Sequence, residues 1–310
     1  MHKTFRVLVF PCGSEIGLEL HRSLFFSKHF ELFGASSVED NGRFVYDNYV
    51  GELPFIGPQL YQPLLNVLDK YSIDLLIPAH DDAVMLFAKW AYEEKLNDTQ
   101  LITAPYQTCF ICRSKARTYA HFLNIINTPN VYRYKKSDYN FPLFLKPDVG
   151  QGSKGTALAQ DESDLNFYTK KDSSLLICEY LPGSEYTIDC FTDRHNNLRF
   201  VGGRLRQRIS GGISVNSVSV EDARFEDMAN TIQHKLQLRG QWFFQVKERV
   251  NGDLVLMEIA PRCAGNSGHN RNRGVNLPLL SLFDRLNHDV TVDINPYNIE
   301  TERSLKSRYR

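Results

Sequence analysis

Residues 144–156 read FLKPDVGQGSKGT, and this stretch predicts a β-hairpin that closes over an anion. The apolar run ends at Lys146, which the following proline holds in an extended conformation. Glycines then allow the backbone to approach an anion and turn its N–H groups inward, while lysines supply positive charge. The glycine spacing is neither that of a P-loop nor GxGxxG. Because a glycine-rich hairpin can also lack a ligand, the segments that follow decide the interpretation.

Later segments predict further strands. Residues 175–189 combine a buried strand, a Pro-Gly break and an alternating strand. Residues 241–248 and 254–262 predict two strands joined by an Asn-Gly turn, which is a strong hairpin signal. In an antiparallel pair Gln245 and Glu258 can lie on one face, where two oxygen ligands suit Mg²⁺ that bridges nucleotide phosphates.

The order of these segments resembles that of the ATP-grasp superfamily. The shared features are a lysine before a glycine-rich hairpin, a Glu-x-Leu hinge with a later acid, and Gln and Glu-x-x-x-Arg on neighbouring strands. Within the superfamily the resemblance is nearest to stand-alone proteins similar to the large subunit of carbamoyl-phosphate synthase. It implies an α/β protein, with an ATP-grasp fold of α+β lobes behind a Rossmann-like domain. The implied units are an N-terminal pre-ATP-grasp domain (1–105), a small lobe with the glycine-rich loop (106–184) and a large C-terminal lobe (185–310).

The same resemblance implies roles for individual residues. Gln245 and Glu258 would ligate Mg²⁺, for which Mn²⁺ can substitute, and Arg262 would steady the transferred phosphoryl group. Arg113 is a rival of Lys115 for one phosphate contact. The residues implied to bind ATP are Lys115, Lys146, Gly150, Gly152, Ser153, Gly155, Glu179, Tyr180, Leu181 and Glu185.

One position departs from the family pattern. The superfamily usually carries Glu-x-Asn on the last strand, and here Ala260 replaces the asparagine. Alanine cannot ligate a metal. Either Asn266 or a substrate oxygen fills this place, or the second ion is held weakly, or the protein has kept binding and lost catalysis. The run 258–262, followed by residues 266–269, is also similar to ATP-grasp carboxylases of purine synthesis, which keeps a carboxyphosphate reaction open.

Arginines alternate along residues 202–214, at positions 204, 206 and 208. Alternate residues of a strand share a face, and like charges there destabilise the strand unless an anion is bound. An edge strand charged against aggregation is one explanation. We favour an anion site for the substrate carboxylate, since guanidinium groups bind carboxylates at two points. Arg206 and Arg208 would then act beside Arg262 in catalysis.

The first hundred residues alternate strand and helix patterns, which predicts a separate α/β sheet. We expect strands at 7–10 and 75–78, a tight turn at 13–17 and a helix at 18–27. Ligands bind at the carboxyl ends of such strands.

Polar residues follow two of these strands and are candidates for substrate contact. They are Ser14 and Glu15 after the first strand and Asp81 after the later one, joined by Asn266 from the C-terminal part. Asp81 and Asp82 can instead cap a helix over residues 83–96.

Composition narrows the function classes. Lys+Arg and Asp+Glu both number 36, so no net field favours nucleic acid. No apolar run approaches the ~20 residues of a membrane span, and the N-terminus leads into a strand rather than a secretion signal, so we expect a cytoplasmic protein. Cys109 and Cys112 lack partners at zinc spacing, which favours buried thiols.

The favoured function is an ADP-forming carboxylate–amine ligase that acts through an acyl phosphate. Its partners would be ATP, a small-molecule carboxylate and an amine, and a homodimer is allowed. Carboxylation through carboxyphosphate is an alternative within enzymes, and an ATP-binding regulatory protein without turnover is an alternative outside them. A dinucleotide-dependent oxidoreductase is disfavoured, because Gly13 and Gly17 lack the required spacing.

Overall fold

The computed structural model describes residues 3–135 and 138–304, and its strands form three sheets. The first sheet is parallel, in the order β3-β2-β1-β4-β5. Its strands are β1 (Phe5–Phe10), β2 (Phe30–Ser36), β3 (Asn48–Glu52), β4 (Leu75–Pro78) and β5 (Gln100–Leu101). Its helices are α1 (Glu15–Leu24), α2 (Gly42–Val45), α3 (Tyr61–Lys70) and α4 (Asp81–Tyr92), with a 3₁₀ turn at Pro58–Leu60. The strand order reverses between β1 and β4, which is where open parallel sheets bind ligands, and it confirms the predicted Rossmann-like arrangement.

Two predicted starts of helices were wrong. Helix α1 begins at Glu15, because the Ser14 side chain accepts the Gly17 N–H and caps the helix there. The predicted tight turn at 13–17 is therefore already helical in its second half. In α4 the cap is His80, whose Nδ1 accepts the Asp82 N–H at 3.2 Å, so Asp81 and Asp82 form the first turn rather than the cap.

The second sheet is antiparallel and has the order β6-β9-β7-β8. Its strands are β6 (Val131–Tyr132), β7 (Leu143–Lys146), β8 (Ala157–Ala159) and β9 (Leu176–Glu179). Helices α5 (Tyr106–Cys112) and α6 (Lys115–His121) precede this sheet, and α7 (Glu162–Lys171) lies between β8 and β9. The glycine-rich loop joins the paired strands β7 and β8, which confirms the predicted hairpin.

The third sheet is antiparallel and has the order β14-β13-β10-β11-β12-β15. Its strands are β10 (Glu185–Thr192), β11 (Leu198–Ser210), β12 (Ile213–Val220), β13 (Gly240–Glu248), β14 (Leu254–Ala260) and β15 (Glu300–Glu302). The accompanying helices are α8 (Ala223–Lys235), α9 (Gly268–Asn272) and α10 (Leu277–Arg285).

Alternation along these strands divides the third sheet into two faces. Ile188, Phe244 and Val246 point to one face and share a buried core with Ala229 and Ile232 of α8. The neighbouring residues Thr187, Asp189 and Gln245 are polar and project to the opposite face. That polar face forms a wall of the candidate site. Within the described residues, no helix has the length and apolarity needed to cross a membrane.

Candidate active site

A cavity of about 310 Å³ lies where the three sheets meet. This volume is at the lower end of the range typical of small-molecule sites. The predicted site residues that line it are Ser14, Glu15, Asp81, Lys115, Gly150, Gly152, Arg206, Gln245, Glu258, Arg262 and Asn266. The fold thus brings together residues that are more than 250 positions apart in the chain.

A row of polar residues crosses the wall formed by the third sheet. Strand pairing places Ser219 opposite Arg204, Arg204 opposite Thr187, Thr187 opposite Gln245, and Gln245 opposite Glu258. Directly opposed residues project to the same face of a sheet. Five strands therefore each contribute one side chain to this row, and the predicted pairing of Gln245 with Glu258 is confirmed.

Gln245 and Glu258 form the oxygen-rich end of the row. In the amide orientation that satisfies both neighbours, Gln245 places its oxygen 2.8 Å from Arg206 Nη1 and its nitrogen 3.2 Å from Glu258 Oε1, so it bridges a cation and an anion. No group of three His, Cys, Asp or Glu residues suited to a metal occurs among the described residues. A metal here would therefore take further oxygens from phosphates or water, which is how Mg²⁺ is usually bound with nucleotides.

Two predicted phosphate-binding lysines interact near the cavity: Lys115 lines it, whereas Lys146 lies outside its lining. Lys146 is buried and donates to the Tyr119 hydroxyl at 2.7 Å. Burial lowers the pKa of Lys146, and Lys115 lowers it further, while Glu258 and Glu185 favour the charged form. The two ammonium groups therefore repel each other, and an anion bound between them would relieve this repulsion.

Asp148 positions one of these lysines, and sequence reasoning missed it. Its carboxylate accepts the Ser114 hydroxyl at 2.8 Å and the Ala116 N–H at 2.7 Å, at the start of α6. Its carbonyl accepts the Lys115 N–H at 3.2 Å. The base of the glycine-rich loop is thereby tied to the helix that presents Lys115. The only signal in the sequence is an acid directly after Lys-Pro.

The glycine-rich loop is closed over the cavity. Its Gln151 amide nitrogen lies 2.6 Å from His80 Nε2, and Arg113 Nη1 donates to the Gly150 carbonyl at 3.4 Å. On the other side, a Cβ on Gly212 would lie 2.2 Å from Gly152 Cα. Both glycines have positive φ, +64° for Gly152 and +77° for Gly212. The loop and the β11–β12 turn therefore meet at a contact that only glycine allows.

Comparisons with known proteins agree with this geometry. A family model described as "ATP-grasp in the biosynthetic pathway with Ter operon" matches residues 171–305. The fold is similar to the biotin carboxylase domain of 2-oxoglutarate carboxylase from Hydrogenobacter thermophilus, solved with MgADP, ADP and bicarbonate. The TM-score is 0.75 at 13% identity, over 94% of this chain and 72% of that one. The chain has the ATP-grasp fold.

Other similar proteins are ligases as well as carboxylases. L-amino acid ligase from Bacillus licheniformis matches with TM-score 0.71 and 15% identity, over 91% of this chain and 74% of that one. N5-carboxyaminoimidazole synthetase from Staphylococcus aureus, complexed with ADP, gives 0.74 and 14%, over 95% and 81%. D-alanine–D-alanine ligase from Petrotoga mobilis is 30% identical over 89 residues, which are 26% of this chain and 30% of the ligase. That match therefore spans less than a third of the ligase.

Some residues that the resemblance implies bind ATP lie outside the lining of this cavity. The Glu179 carboxylate accepts Arg249 Nη2 at 2.6 Å and the Asn130 N–H at 2.8 Å. Glu185 forms an ion pair with Arg206 at 2.9 Å. The others outside the lining are Lys146, Ser153, Gly155, Tyr180 and Leu181. A role for these side chains in binding ATP stays a prediction.

The predicted face of three free arginines was wrong. Arg204 pairs with Asp189 at 3.0 Å, and Arg206 donates to the Gly212 carbonyl at 2.8 Å. Register shifts on both sides of Arg208 break the alternation, so Arg208 turns to exposed Glu302 and does not line the cavity. Strand β11 is also not an edge strand, since it lies between β10 and β12.

Arg262 is held at the junction of two sheets. It donates Nε at 2.6 Å and Nη2 at 2.8 Å to the two carboxylate oxygens of Asp81, and it lies over the Phe243 ring. Burial raises the pKa of Asp81, but Arg262 outweighs it and the net pKa is lowered. Both groups are therefore charged near neutral pH, and the carboxylate proposed for substrate contact is bound to Arg262.

The other candidates for substrate contact have protein partners as well. Ser14 caps α1, and Glu15 forms an ion pair with Arg303. Asn266 donates its amide to the Ser217 hydroxyl at 3.1 Å. Ala260 is buried opposite Phe243, so an apolar wall stands where the superfamily usually has asparagine.

The cysteine prediction is confirmed. All six cysteines are free and buried. Burial raises the pKa of Cys109 to about 12 and that of Cys112 well above its usual range. These thiols therefore stay protonated and serve as core residues near the cavity.

Proposed function

We propose that this ATP-grasp protein is an ADP-forming ligase that joins a small-molecule carboxylate to an amine. The observation that carries the proposal is the row that sets Gln245 and Glu258 beside Arg206 under the closed glycine-rich loop. Oxygen ligands, fixed cations and a cover against water are the parts that phosphoryl transfer to a carboxylate needs.

The chain supports the first step by position and charge. Lys146 and Lys115 would neutralise the phosphates of ATP, and Mg²⁺ bound between Gln245, Glu258 and the phosphates would supply Lewis-acid stabilisation. Arg206 and Arg262 would hold the carboxylate with one oxygen facing the γ-phosphorus. That oxygen forms the new P–O bond, the bond to the β-phosphate oxygen breaks, and ADP leaves with that electron pair.

The second step uses the acyl phosphate. The amine nitrogen attacks the carbonyl carbon, the C–O bond to phosphate breaks, and phosphate departs with the electron pair. The proton of the amine is released as the amide forms. Closure of the glycine-rich loop over the cavity would keep water from the acyl phosphate until the amine arrives.

A carboxyphosphate reaction is the second candidate. Its support is the likeness to a biotin carboxylase domain solved with bicarbonate, at TM-score 0.75. In that case bicarbonate takes the place of the carboxylate, and an amine is carboxylated. A cytoplasmic location and a homodimer remain predictions.

The test is ADP release across a panel of carboxylates and amines, with and without bicarbonate. Release that needs a carboxylate and an amine supports the ligase, and release that needs bicarbonate supports the second candidate. Lys146→Met should abolish either signal and weaken ATP binding by about 1.5–3 kcal/mol, the scale of a lost charged hydrogen bond. Lys170→Met, at the exposed end of α7, is the matched control. ATP binding without ADP release under any condition would replace both enzymes with a regulatory protein.

A further inference from the structure

We propose that the ATP-grasp cavity holds a second, non-reacting carboxylate at Arg204, so that the activated substrate is a dicarboxylate. This inference rests on the proposed function and names the class of its carboxylate substrate. The alternating pattern placed Arg204 in one anion site with Arg206 and Arg208, and the inference gives Arg204 a carboxylate of its own.

Arg204 is a buried cation with spare donor capacity. Its side chain is 2% exposed and lines the cavity. Its Nε donates to Asp189 Oδ2 at 3.0 Å, while Nη1 and Nη2 have no hydrogen-bond partner among the described residues, and of these two nitrogens Nη1 is shielded from solvent. An unsatisfied donor of a buried guanidinium is costly, so a ligand that accepts from it gains more than a surface contact would.

Asp189 does not fully occupy this cation. The Asp189 oxygen that faces Arg204 also accepts the Asn270 amide at 2.8 Å. Arg204 and Arg273 both act on the neighbouring His269, whose pKa burial and these cations lower to about 4. His269 is therefore neutral near pH 7 and does not compete for an anion.

The position of Arg204 separates it from the reacting centre. In the polar row it is two strands from Gln245 and three from Glu258, or about 10 and 14 Å between backbones at the usual strand spacing. Arg206, by contrast, reaches Gln245 directly at 2.8 Å. Both arginines lie on β11, so their side chains make the difference: the Arg206 guanidinium reaches Gln245, whereas that of Arg204 is held by Asp189. A carboxylate at Arg206 would therefore meet the γ-phosphate beside the proposed metal ligands, and a carboxylate at Arg204 would lie farther along the row.

The groups between the two ends favour a diacid over an α-amino acid. Thr187 lies between Arg204 and Gln245 in the row, and its hydroxyl accepts from Arg206 Nη1 at 3.3 Å. The nearby acids Glu185 and Asp189 are already paired with Arg206 and Arg204. An α-ammonium group next to the bound carboxylate would thus face two cations with no free acid between them.

The experiment measures binding by calorimetry to protein saturated with Mg²⁺ and a non-hydrolysable ATP analogue. The probes are succinate, glutarate and adipate, each against the monocarboxylate of the same carbon number. The best diacid should bind wild type at least ~10-fold tighter than its monocarboxylate, as expected for one added charged contact. In Arg204→Lys, which keeps a charge for Asp189 but removes the second donor nitrogen, this advantage should fall below about threefold. Arg199→Lys, on the same strand and outside the cavity, should keep it.

The outcomes separate this inference from the proposed function. If the ATP analogue does not bind, the proposed function fails first. If it binds, but wild type shows no diacid advantage or Arg204→Lys retains it, the Arg204 subsite is overturned and the ligase proposal stands. The wild-type arm decides the matter even if Arg204→Lys does not fold. A further arm compares the binding of alanine with that of alaninamide. If the preference for alanine depends on Arg204 and the preference for the diacid does not, the diacid assignment is overturned.

Discussion

Arg262 and Asp81 form a two-point ion pair that joins the segment just after β14 to the first turn of α4. The distances are 2.6 and 2.8 Å, and the partners are 181 residues apart. The carboxyl end of the N-terminal sheet therefore orients the guanidinium of Arg262. Positioning of this cation depends on the packing of two sheets rather than on the local sequence.

Breaking this pair should be expensive. Asp81→Asn leaves the buried Arg262 without its counter-charge, and we expect the free energy of unfolding to fall by about 3–5 kcal/mol. Asp82→Asn removes the neighbouring pair with Arg113, in which the Asp82 side chain is 45% exposed, and should cost less than about 1 kcal/mol. Urea denaturation compares the two variants. Equal losses in the free energy of unfolding would mean that the Asp81–Arg262 pair stabilises the fold no more than an exposed ion pair does.

The proposed metal ligands Gln245 and Glu258 lead to a predicted loss of activity without a loss of fold. Glu258→Gln keeps the size of the side chain but removes its charge, and turnover should drop by at least ~10²-fold, the scale of a lost electrostatic contact. The fold should survive, because the described residues include no ion pair to Glu258. Circular dichroism and ADP release test this, with Glu226→Gln on the surface of α8 as control. Full turnover in Glu258→Gln would remove the metal role.

The alanine at position 260 leads to a prediction about the Mg²⁺ concentration that activity requires. If the alanine weakens a second ion, Ala260→Asn should lower the Mg²⁺ concentration needed for half-maximal ADP release. Asparagine there must enter the buried position opposite Phe243, so some loss of stability is expected. Ala260→Val adds bulk without a ligand and serves as the control. An unchanged or higher Mg²⁺ requirement in Ala260→Asn would contradict a missing ligand.

Loop closure predicts a difference between two adjacent glycines. Both Gly211 and Gly212 have positive φ, so alanine strains the backbone at either position. Only at Gly212 does the new Cβ meet the glycine-rich loop, 2.2 Å from Gly152 Cα, whereas Gly211 has open space. Gly212→Ala should lower kcat/KM for ATP at least ~10-fold more than Gly211→Ala, about 1.4 kcal/mol. Steady-state kinetics on both variants would reveal equal effects if the closed contact plays no part in turnover.

His269 predicts a decline of stability at acidic pH. Burial, with Arg204 and Arg273, lowers its pKa from 6.5 to about 4, and its ring nitrogens contact Ser219 and Thr301 at 2.8 Å. Because the unfolded chain binds the proton more readily, this stabilisation is present above pH 6.5 and is lost as pH falls toward 4, by ~3 kcal/mol. In His269→Gln this part of the pH dependence should vanish. His234→Gln, at an exposed position, should retain it, and parallel curves for wild type and His269→Gln would refute the assignment.

Much of the architecture could be read from local patterns. The Lys-Pro-Asp run with its glycines predicted the β7–β8 hairpin, and the Asn-Gly turn predicted the pairing of Gln245 with Glu258, because hairpins bring together residues that are close in sequence. Starts of helices were less accurate. At α1 and α4 the capping side chains, Ser14 and His80, decided them, and histidine is an uncommon cap.

Sequence alone determined the two hairpins, the glycine-rich loop and the likeness to the ATP-grasp superfamily, since these depend on periodicity and on turn residues. Tertiary structure alone decided which charges are free. The alternation of Arg204, Arg206 and Arg208 predicted three cations on one face, but register shifts turned Arg208 outward, Glu185 and Gly212 engaged Arg206, and Asp189 engaged Arg204 through its Nε. A strand pattern specifies the face of a side chain, whereas its partner comes from strands and helices that are distant in sequence and is known only once the chain has packed.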